Sequence, residues 1–490
     1  MEKCNEKTII FWGAGKIGKM VLSFCKMMGE KPDFFVDQNA SIWGKQIDGI
    51  LIKSPKELLN TRNPLIFITI KNYDEVLKYL LEIGVNAKDI VTYSSDFVGT
   101  AIKSLISRDD FAVEADIIHK SLHNKYQILI DLQNGLVLGG VEKWCKQLAF
   151  MLSQKGFSGK YLVPNLVREN QWEDSFEFLP LYDNSISDAQ KRLEICVNAI
   201  LESRPCTVVC NFVGYTLYAA CIAKRVSPDS VRVIAVNHSD DPAYYKAYVL
   251  WQDYIDKCLS ISGRIRQNLI EKGFCQDKIE NIVWKVECEE HLRREYSSKE
   301  DPIRLGYAGR ITTVAKRVDL LIVIAILLRE MKVDFRMVIA GEGEYSDRLE
   351  EQIKVMGLSE HVSFIHRIQE KMIPQFWKSV DLCLCPSEWE GHSISLCEAM
   401  AQGAVPIATD VSGVRDDIED TVNGFVVKVG DLFEIVNKVK LLSNNKELLR
   451  GMGKSAYMTM KNRNENTGED DWVKLLLGEK QQSRNVGSNA

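Results

Sequence analysis

From Thr8 onward the chain alternates short apolar runs with longer stretches in which apolar residues recur every three or four positions, the pattern of strands interleaved with amphipathic helices. Thr8–Trp12 (TIIFW), a run ending FFVD at Asp37, and runs at Leu65–Ile70 and Asp89–Tyr93 predict four strands, with a helix through Met28 after the first. The pattern restarts at Tyr126 with YQILIDL, and a helix from Val141 then puts Val141, Trp144, Cys145, Leu148 and Leu152 on one face. Further strands are expected at Lys160–Val163, Thr207–Phe212, Val231–Val236 and Lys257–Ser262. A third start near Asp301 gives IRLGYAG, an apolar helix Val318–Met331, FRMVIAG, a strand around His361–Ile365 and DLCLC at Asp381–Cys385. After it, Ile394, Leu396, Cys397 and Met400 mark a helix stopped by Gly403, and helices continue to about Arg463, with EDDWVKLLL as a last amphipathic one.

This alternation predicts α/β architecture in three units: a small Rossmann-like domain over 1–95, a linker over 96–125, and two larger domains over 126–298 and 299–477, with a disordered tail over 478–490. A length of 490 residues agrees, since it exceeds what one hydrophobic core usually organises. With 46% apolar and 26% charged residues the composition is that of a folded globular protein. The net charge of −5 argues against a nucleic-acid partner, which favours a basic domain. Thirteen cysteines, an odd number without a CxxC pair, read as buried reduced thiols. With an opening MEKCNEKTIIFWGAGK that lacks a signal-peptide pattern, they place the protein in a reducing cytosol. Leu320–Leu328, about half a membrane span, reads as a core helix.

Glycine-rich turns follow two of the strands. Gly13, Gly15 and Gly18 form GxGxxG between a strand and a helix, with Asp37 nearly twenty residues on; that context suits a bound nucleotide or dinucleotide, the alternative being a tight turn with close helix packing. Gly135, Gly139 and Gly140, followed by Glu142, make a second such turn, where helix amides favour an anion. Arg310 and Lys316 converge from a strand end and the next helix start, a fork and a point charge suited to a diphosphate, although solvated surface cations are the plainer reading. Glu390 lies in a loop before a helix and Glu398 inside it, two carboxylates that could serve as acid and base or as hydroxyl acceptors. His238 follows a strand directly, at the edge where open α/β sheets present functional groups. His119 and His123 stand at i, i+4 without a third ligand and read as surface histidines, and Asp240–Asp241 before Pro242 reads as a turn or a helix start.

Taken together, GGVE at Gly139–Glu142, GRITTVAKRVDLLI from Gly309 and EGHSISLCEAMAQGAVPIAT from Glu390 make residues 126–475 resemble the retaining glycosyltransferases of family 4. The resemblance implies a GT-B fold, two facing Rossmann-like domains, here preceded by the small N-terminal one. It implies transfer of a hexose-type sugar from a nucleoside-diphosphate sugar to a glycan, polysaccharide or lipid-linked acceptor, forming an α bond by front-face attack, with no metal required. Arg310 and Lys316 would then neutralise the diphosphate, Glu398 hold the ribose, Glu390 a sugar hydroxyl, and Gly140 approach the distal phosphate, with His238 near the reaction centre. Gly139, Gly309, Gly391, His392, Ser393 and Ile394 would complete the donor pocket, and the final helix with Trp472 would return to the first domain. Lipid-linked acceptors would bring the protein to the inner face of a membrane. Two departures stand out: KIENIVWKVECEE lacks the usual Asn-Gly turn, and His392 replaces a residue that is commonly Phe, Met or Val.

Residues 1–95, notably DFFVDQNASIWGKQIDGILIKSPKELL, resemble the nucleotide-sugar-binding domain of bacterial sugar acetyltransferases, which implies a second nucleotide site or a docking module. Two other readings stay open. The N-terminal domain could modify or oxidise a sugar nucleotide, or Glu390 and Glu398 could act as the acid and base of a glycoside hydrolase or phosphorylase.

Overall fold

The computed structural model describes residues 7–27, 31–70, 73–92, 123, 125–132, 139–163, 175–182, 186, 189–282, 285–465 and 469–478. The linker expected over 96–125, apart from residues 123 and 125, lies outside them, as do His119, Gly135 and the tail beyond 478. The chain divides into two compact units, the first comprising residues 1–235 and 242–257, the second 236–241 and 258–490.

The first unit begins with β1 (Thr8–Trp12), β2 (Phe34–Val36), β3 (Gln46–Ile47), β4 (Ile50–Lys53), β5 (Pro64–Ile68) and β6 (Ile90–Thr92), in the order β3-β4-β2-β1-β5-β6. All pairs are parallel except the β3/β4 hairpin, which the apolar pattern did not announce because its strands are two and four residues long. Alternate residues of β1 feed opposite faces. Ile10 and Trp12 pack with Val76 and Leu80 of the helix Asp74–Glu82, while Phe11 packs with Val21 and Leu22 of the helix Lys16–Met27. Phe11 also meets Phe35 and Phe67 edge-on, at 5.6 and 5.5 Å between ring centroids.

Next in the chain come β7 (Gln127–Asp131), β8 (Ser158–Val163), β9 (Glu177–Pro180), β10 (Cys206–Cys210) and β11 (Val231–Asn237), whose last two residues fall with the second unit. They run parallel in the order β11-β10-β7-β8-β9. The Ser23 hydroxyl accepts a 2.8 Å bond from the Ala189 amide and so joins the N-terminal sheet's helix to this layer.

In the second unit β12 (Lys257–Ser260), whose first residue falls with the first unit, pairs with β13 (Ile279–Asn281) from Cys258 onward. A six-stranded parallel sheet follows, made of β14 (Ile303–Ala308), β15 (Phe335–Ala340), β16 (Val362–Ile365), β17 (Leu382–Cys385), β18 (Val405–Thr409) and β19 (Phe425–Val427). Its order is β16-β15-β14-β17-β18-β19. The apolar helix Asp319–Glu330 buries Leu321, Ile322, Ile324, Ala325 and Leu328 on it, so this run is core. Among the described residues no helix is long and apolar enough to cross a membrane. The twelve described cysteines are all free, ten of them buried, and none forms a disulfide.

Each sheet reverses its strand order beside its first strand, at β1/β5, β7/β10 and β14/β17. In open parallel sheets such a reversal opens a crevice at the carboxyl ends, because the two flanking loops depart in opposite directions. Gly13 and Thr69, Asp131 and Asn211, and Gly309 and Pro386 emerge at the three crevices.

Candidate functional site

The loops leaving β14 and β17 carry charged residues expected from sequence, Arg310 and Lys316 on the first and Glu390 on the second. The backbone just after β14 is held by the turn after β15: Gly309 donates to the Ala340 carbonyl and Ile311 to that of Glu342. Only glycine fits that turn, since a Cβ on Gly341 would fall 1.8 Å from the Gly309 oxygen and one on Gly343 2.2 Å from that of Ile311. Arg310, exposed, anchors its carbonyl to the Tyr307 hydroxyl at 2.9 Å. Arg317 takes a left-handed backbone conformation, φ 49°, and bridges Asp319 and Glu388. The Glu388 amide donates to the Ala315 carbonyl at 2.8 Å, fastening the loop after β17 to the loop after β14.

Across that seam Lys316 Nζ lies 2.6 Å from Glu390 Oε1, and the Ser387 hydroxyl donates to the same oxygen at 2.7 Å. The pair is largely shielded, with side chains 18% and 8% exposed, so its attraction is screened less than that of a surface pair. Thr409 Oγ1 donates to the carbonyls of Cys385 and Ser387 and fixes the start of the loop. Lys316, Ser387, Ser393 and Ser395 line a small cavity floored by Tyr307 and Trp377. The helix Ile394–Ala401 opens at extended Ser393, which makes no side-chain capping bond, and its first-turn amides are left facing outward from the helix end. Glu398 stands one turn further on, half-buried.

Gly391 has a close-approach role that its sequence context did not reveal. A Cβ there would lie 2.0 Å from the carbonyl oxygen of His238, so the loop after β11 and the loop after β17 touch backbone to backbone. The His238 imidazole is enclosed by protein although part of its surface stays accessible, and burial pushes its pKa down to about 3, leaving it neutral. His392 turns elsewhere: its ring nitrogens contact the Ile261 carbonyl and Asp417.

The remaining candidates lie in the first unit. Gly139 is extended and the helix Gly140–Gln154 starts after it, with Glu142 buried and its carboxylate beside Gly139. At the N-terminal crevice Gly13 has φ 115°, and a Cβ on Gly18 would meet the Gly13 oxygen at 1.9 Å, while Gly15 has open space around it. Asp37 receives the amides of Ala14 and Asn39, each at 2.8 Å, so both of its oxygens shape the loop.

At β7/β10 the fully buried Asp131 closes its strand with neither carboxylate oxygen in a hydrogen bond of normal geometry. Burial pushes its pKa up to about 7, held back only in part by the Thr216 hydroxyl and the Phe212 and Asn211 amides. A charged residue ending an otherwise apolar strand was the signal that could have singled it out. Ser387, Thr409, Asp417 and Arg463 gave none, because their roles come from partners distant in sequence.

Residues 289–459, which contain this whole charged crevice, match the family described as Glycosyl transferases group 1. Among solved structures, the lipopolysaccharide outer core galactosyltransferase WaaB superposes with TM-score 0.59 at 19% identity, over 71% of this chain and 98% of that one. Anabaena HepE in complex with UDP-glucose gives 0.58 at 17%, over 74% and 99%. The fold is GT-B. Residues 5–91 match a separate family, described as C2185-like, N-terminal. Among curated relatives, an alpha-D-kanosaminyltransferase of Streptomyces kanamyceticus is 33% identical over 165 residues, 34% of this chain and 42% of that protein. A Campylobacter jejuni alpha-1,4-N-acetyl-D-galactosaminyltransferase acting on an undecaprenol-linked glycan is 25% identical over 324 residues, 64% of this GT-B chain and 86% of the relative. The chain spans less than half the length, 42–44%, of several curated relatives, the kanosaminyltransferase among them.

Proposed function

We propose that this chain is a retaining glycosyltransferase that moves a hexose-type sugar from a nucleoside-diphosphate sugar to a glycan, polysaccharide or lipid-linked acceptor, forming an α bond in the cytosol. The observation that carries the reading is the β14/β17 crevice, where Lys316 pairs with Glu390 near an uncapped helix end within the stretch that matches the glycosyltransferase family, with Arg310 two residues past β14. The α bond is supported by relatives whose names carry α linkages.

Departure of a nucleoside diphosphate builds negative charge on its phosphates, and prepositioned cations and amides lower that barrier without reorganising. Arg310, exposed at the crevice, and Lys316 supply the cations, and the amides entering the helix at Ile394 supply the dipoles. Before a donor binds, Lys316 is satisfied by Glu390, so binding exchanges that partner for a phosphate and frees Glu390 to accept a sugar hydroxyl. Glu398, half-buried one turn into the helix, is assigned to the ribose hydroxyls, and neutral His238, Gly309 and Gly391 to the pocket wall. The hydrolase reading, by contrast, leaves Arg310, Lys316 and the helix-end amides without a role.

In the first unit, the amides at Gly139 and Gly140 are assigned to phosphate contact, and the N-terminal crevice to a second nucleotide. The left-handed turn at Gly13 supports that second site, with Asp37 shaping its loop through Ala14 and Asn39.

The test is turnover of a panel of nucleoside-diphosphate sugars by wild type and Lys316→Ala. Loss of about 100-fold or more with the fold intact is expected. Turnover within about threefold of wild type refutes the diphosphate assignment.

A further inference from the structure

His392 sits between Gly391 and Ser393, in the loop that delivers Glu390 to the crevice, yet its ring hydrogen-bonds to neither Lys316 nor Glu390. Its Nδ1 lies 2.7 Å from the carbonyl oxygen of Ile261 and its Nε2 2.6 Å from Asp417 Oδ2. A carbonyl and a carboxylate both accept, so both ring nitrogens donate, and the ring is an imidazolium. The second Asp417 oxygen accepts from Arg463 at 2.5 Å, and Cys397 Sγ stands 3.2 Å from Asp417 and 3.4 Å from both His392 and Arg463. Around these groups the packing is apolar, with Leu396, Val411, Val414, Ile418 and Met460 buried. Placing ions in such surroundings costs desolvation that an ion pair only roughly recovers, so stability alone is a weak reason for the cluster.

What the cluster does is join separate pieces of chain. Ile261 follows β12, His392 follows β17, Asp417 ends the short helix Val414–Asp417, and Arg463 lies on the long helix Lys446–Glu465. Two further bonds run along the same seam: Ser262 and Ser412 share a hydroxyl pair at 2.8 Å, and the Gly263 amide reaches Asp416 at 2.7 Å. Gly413 crosses the backbone of Gly391 and His392 so closely that a Cβ there would lie 2.9 Å from the Gly391 oxygen.

We propose that His392 is a positioning residue: its imidazolium, gripped by Ile261 and Asp417, fixes the backbone of Glu390–Ser393 so that Glu390 and the helix amides are already in place for an anionic nucleotide. The proposal deepens the donor-site reading and rests on it for its functional part. The electrostatics support it. Burial works against the charged ring, but Cys397 and Asp417 outweigh burial and hold its pKa well above the ordinary value. Asp417, likewise penalised by burial, is held down at about 2 by His392 and Arg463. The donor atoms of His392, Cys397 and Asp417 lie within 4.8 Å of one another, a set that would suit a metal ion. Arg463, however, already occupies both the carboxylate and the sulfur, and supplies the positive charge a metal would bring.

Three measurements on the full chain test this. At pH 8, nitrogen-labelled histidine spectra are expected to show His392 protonated at both ring nitrogens; a neutral ring, or stoichiometric zinc in the purified protein, overturns the proposal. Hydrogen exchange at the amides of Gly391–Leu396 reads the grip without any ligand. Protection is expected to fall about tenfold or more in His392→Gln and in Asp417→Asn, with the double variant no worse than the weaker single one, and unchanged protection overturns it. Titration with UDP reads the function, and each variant is expected to bind about tenfold or more weakly while its circular dichroism stays that of wild type. Binding within about twofold of wild type by both variants refutes the positioning role. If Lys316→Ala also binds UDP as wild type does, the donor-site reading fails, while the spectra and exchange rates still judge the grip.

Discussion

Replacing Asp131 by asparagine removes a charge that the structure makes costly. Asp131 is fully buried at the end of β7 with its oxygens outside any hydrogen bond of normal geometry, and its pKa rises from 3.8 to about 7. The folded state therefore holds a proton that the unfolded chain has already released, so stability falls as pH rises between the two values and is flat above the upper one. At 1.36 kcal/mol per unit, the loss is about 4 kcal/mol over the whole window and about 3 kcal/mol between pH 5 and pH 8. Asparagine cannot ionise, so the variant lacks this slope whatever fixed cost its amide carries. In a unit of this size the difference corresponds to melting temperatures that diverge by roughly 6–12 °C between pH 5 and pH 8. The assay is thermal unfolding of both proteins at pH 5, 6, 7 and 8, following the transition that melts β7 and β10. Wild type is expected to lose ground to the variant on going to pH 8. Parallel curves across that range would show that Asp131 is solvated or paired in the folded state, and would refute the reasoning.

Two other substitutions probe backbone geometry. Gly391→Ala puts a Cβ 2.0 Å from the oxygen and 2.7 Å from the carbon of the His238 carbonyl, and backbone cannot swing aside as a side chain would. The expected result is about 1–3 kcal/mol of destabilisation together with weakened UDP binding, and a variant with unchanged titration and melting would contradict the close approach. Asp37→Ala strips the acceptor from the Ala14 and Asn39 amides. A loss of about 1–3 kcal/mol confined to the N-terminal sheet is expected, read as faster proteolysis or exchange within residues 7–92, and no change there would show that solvent satisfies those amides equally well.

The local elements were legible in the chain because they rest on local physics. The six-residue strand Ile303–Ala308, the helix stopped at Gly403 and the helix Glu469–Leu477 all follow from apolar period and breaker residues, and lie within a few residues of where the pattern put them. Short elements escaped: Gln46–Ile47 and Glu177–Pro180 carry too few alternations to register. In the candidate site, Arg310, Lys316, Glu390 and Glu398 were readable because each stands at a strand end or helix start within a charged motif. His392 was readable only as an odd residue in that motif, since nothing near it in sequence says where its ring points.

By itself, then, the sequence determined the strand–helix alternation, the glycine turns and the residue types gathered after β14 and β17, all of which depend on neighbours within a turn or two. The tertiary structure alone decided the strand order, and so which loops share a crevice. It also decided that Lys316 pairs with Glu390, that Asp131 is cut off from water, and that His392 bonds Asp417 twenty-five residues away. Charge, burial and hydrogen bonding depend on what lies within a few ångströms, and in a parallel sheet whose strands are joined by long crossovers those neighbours come from far along the chain.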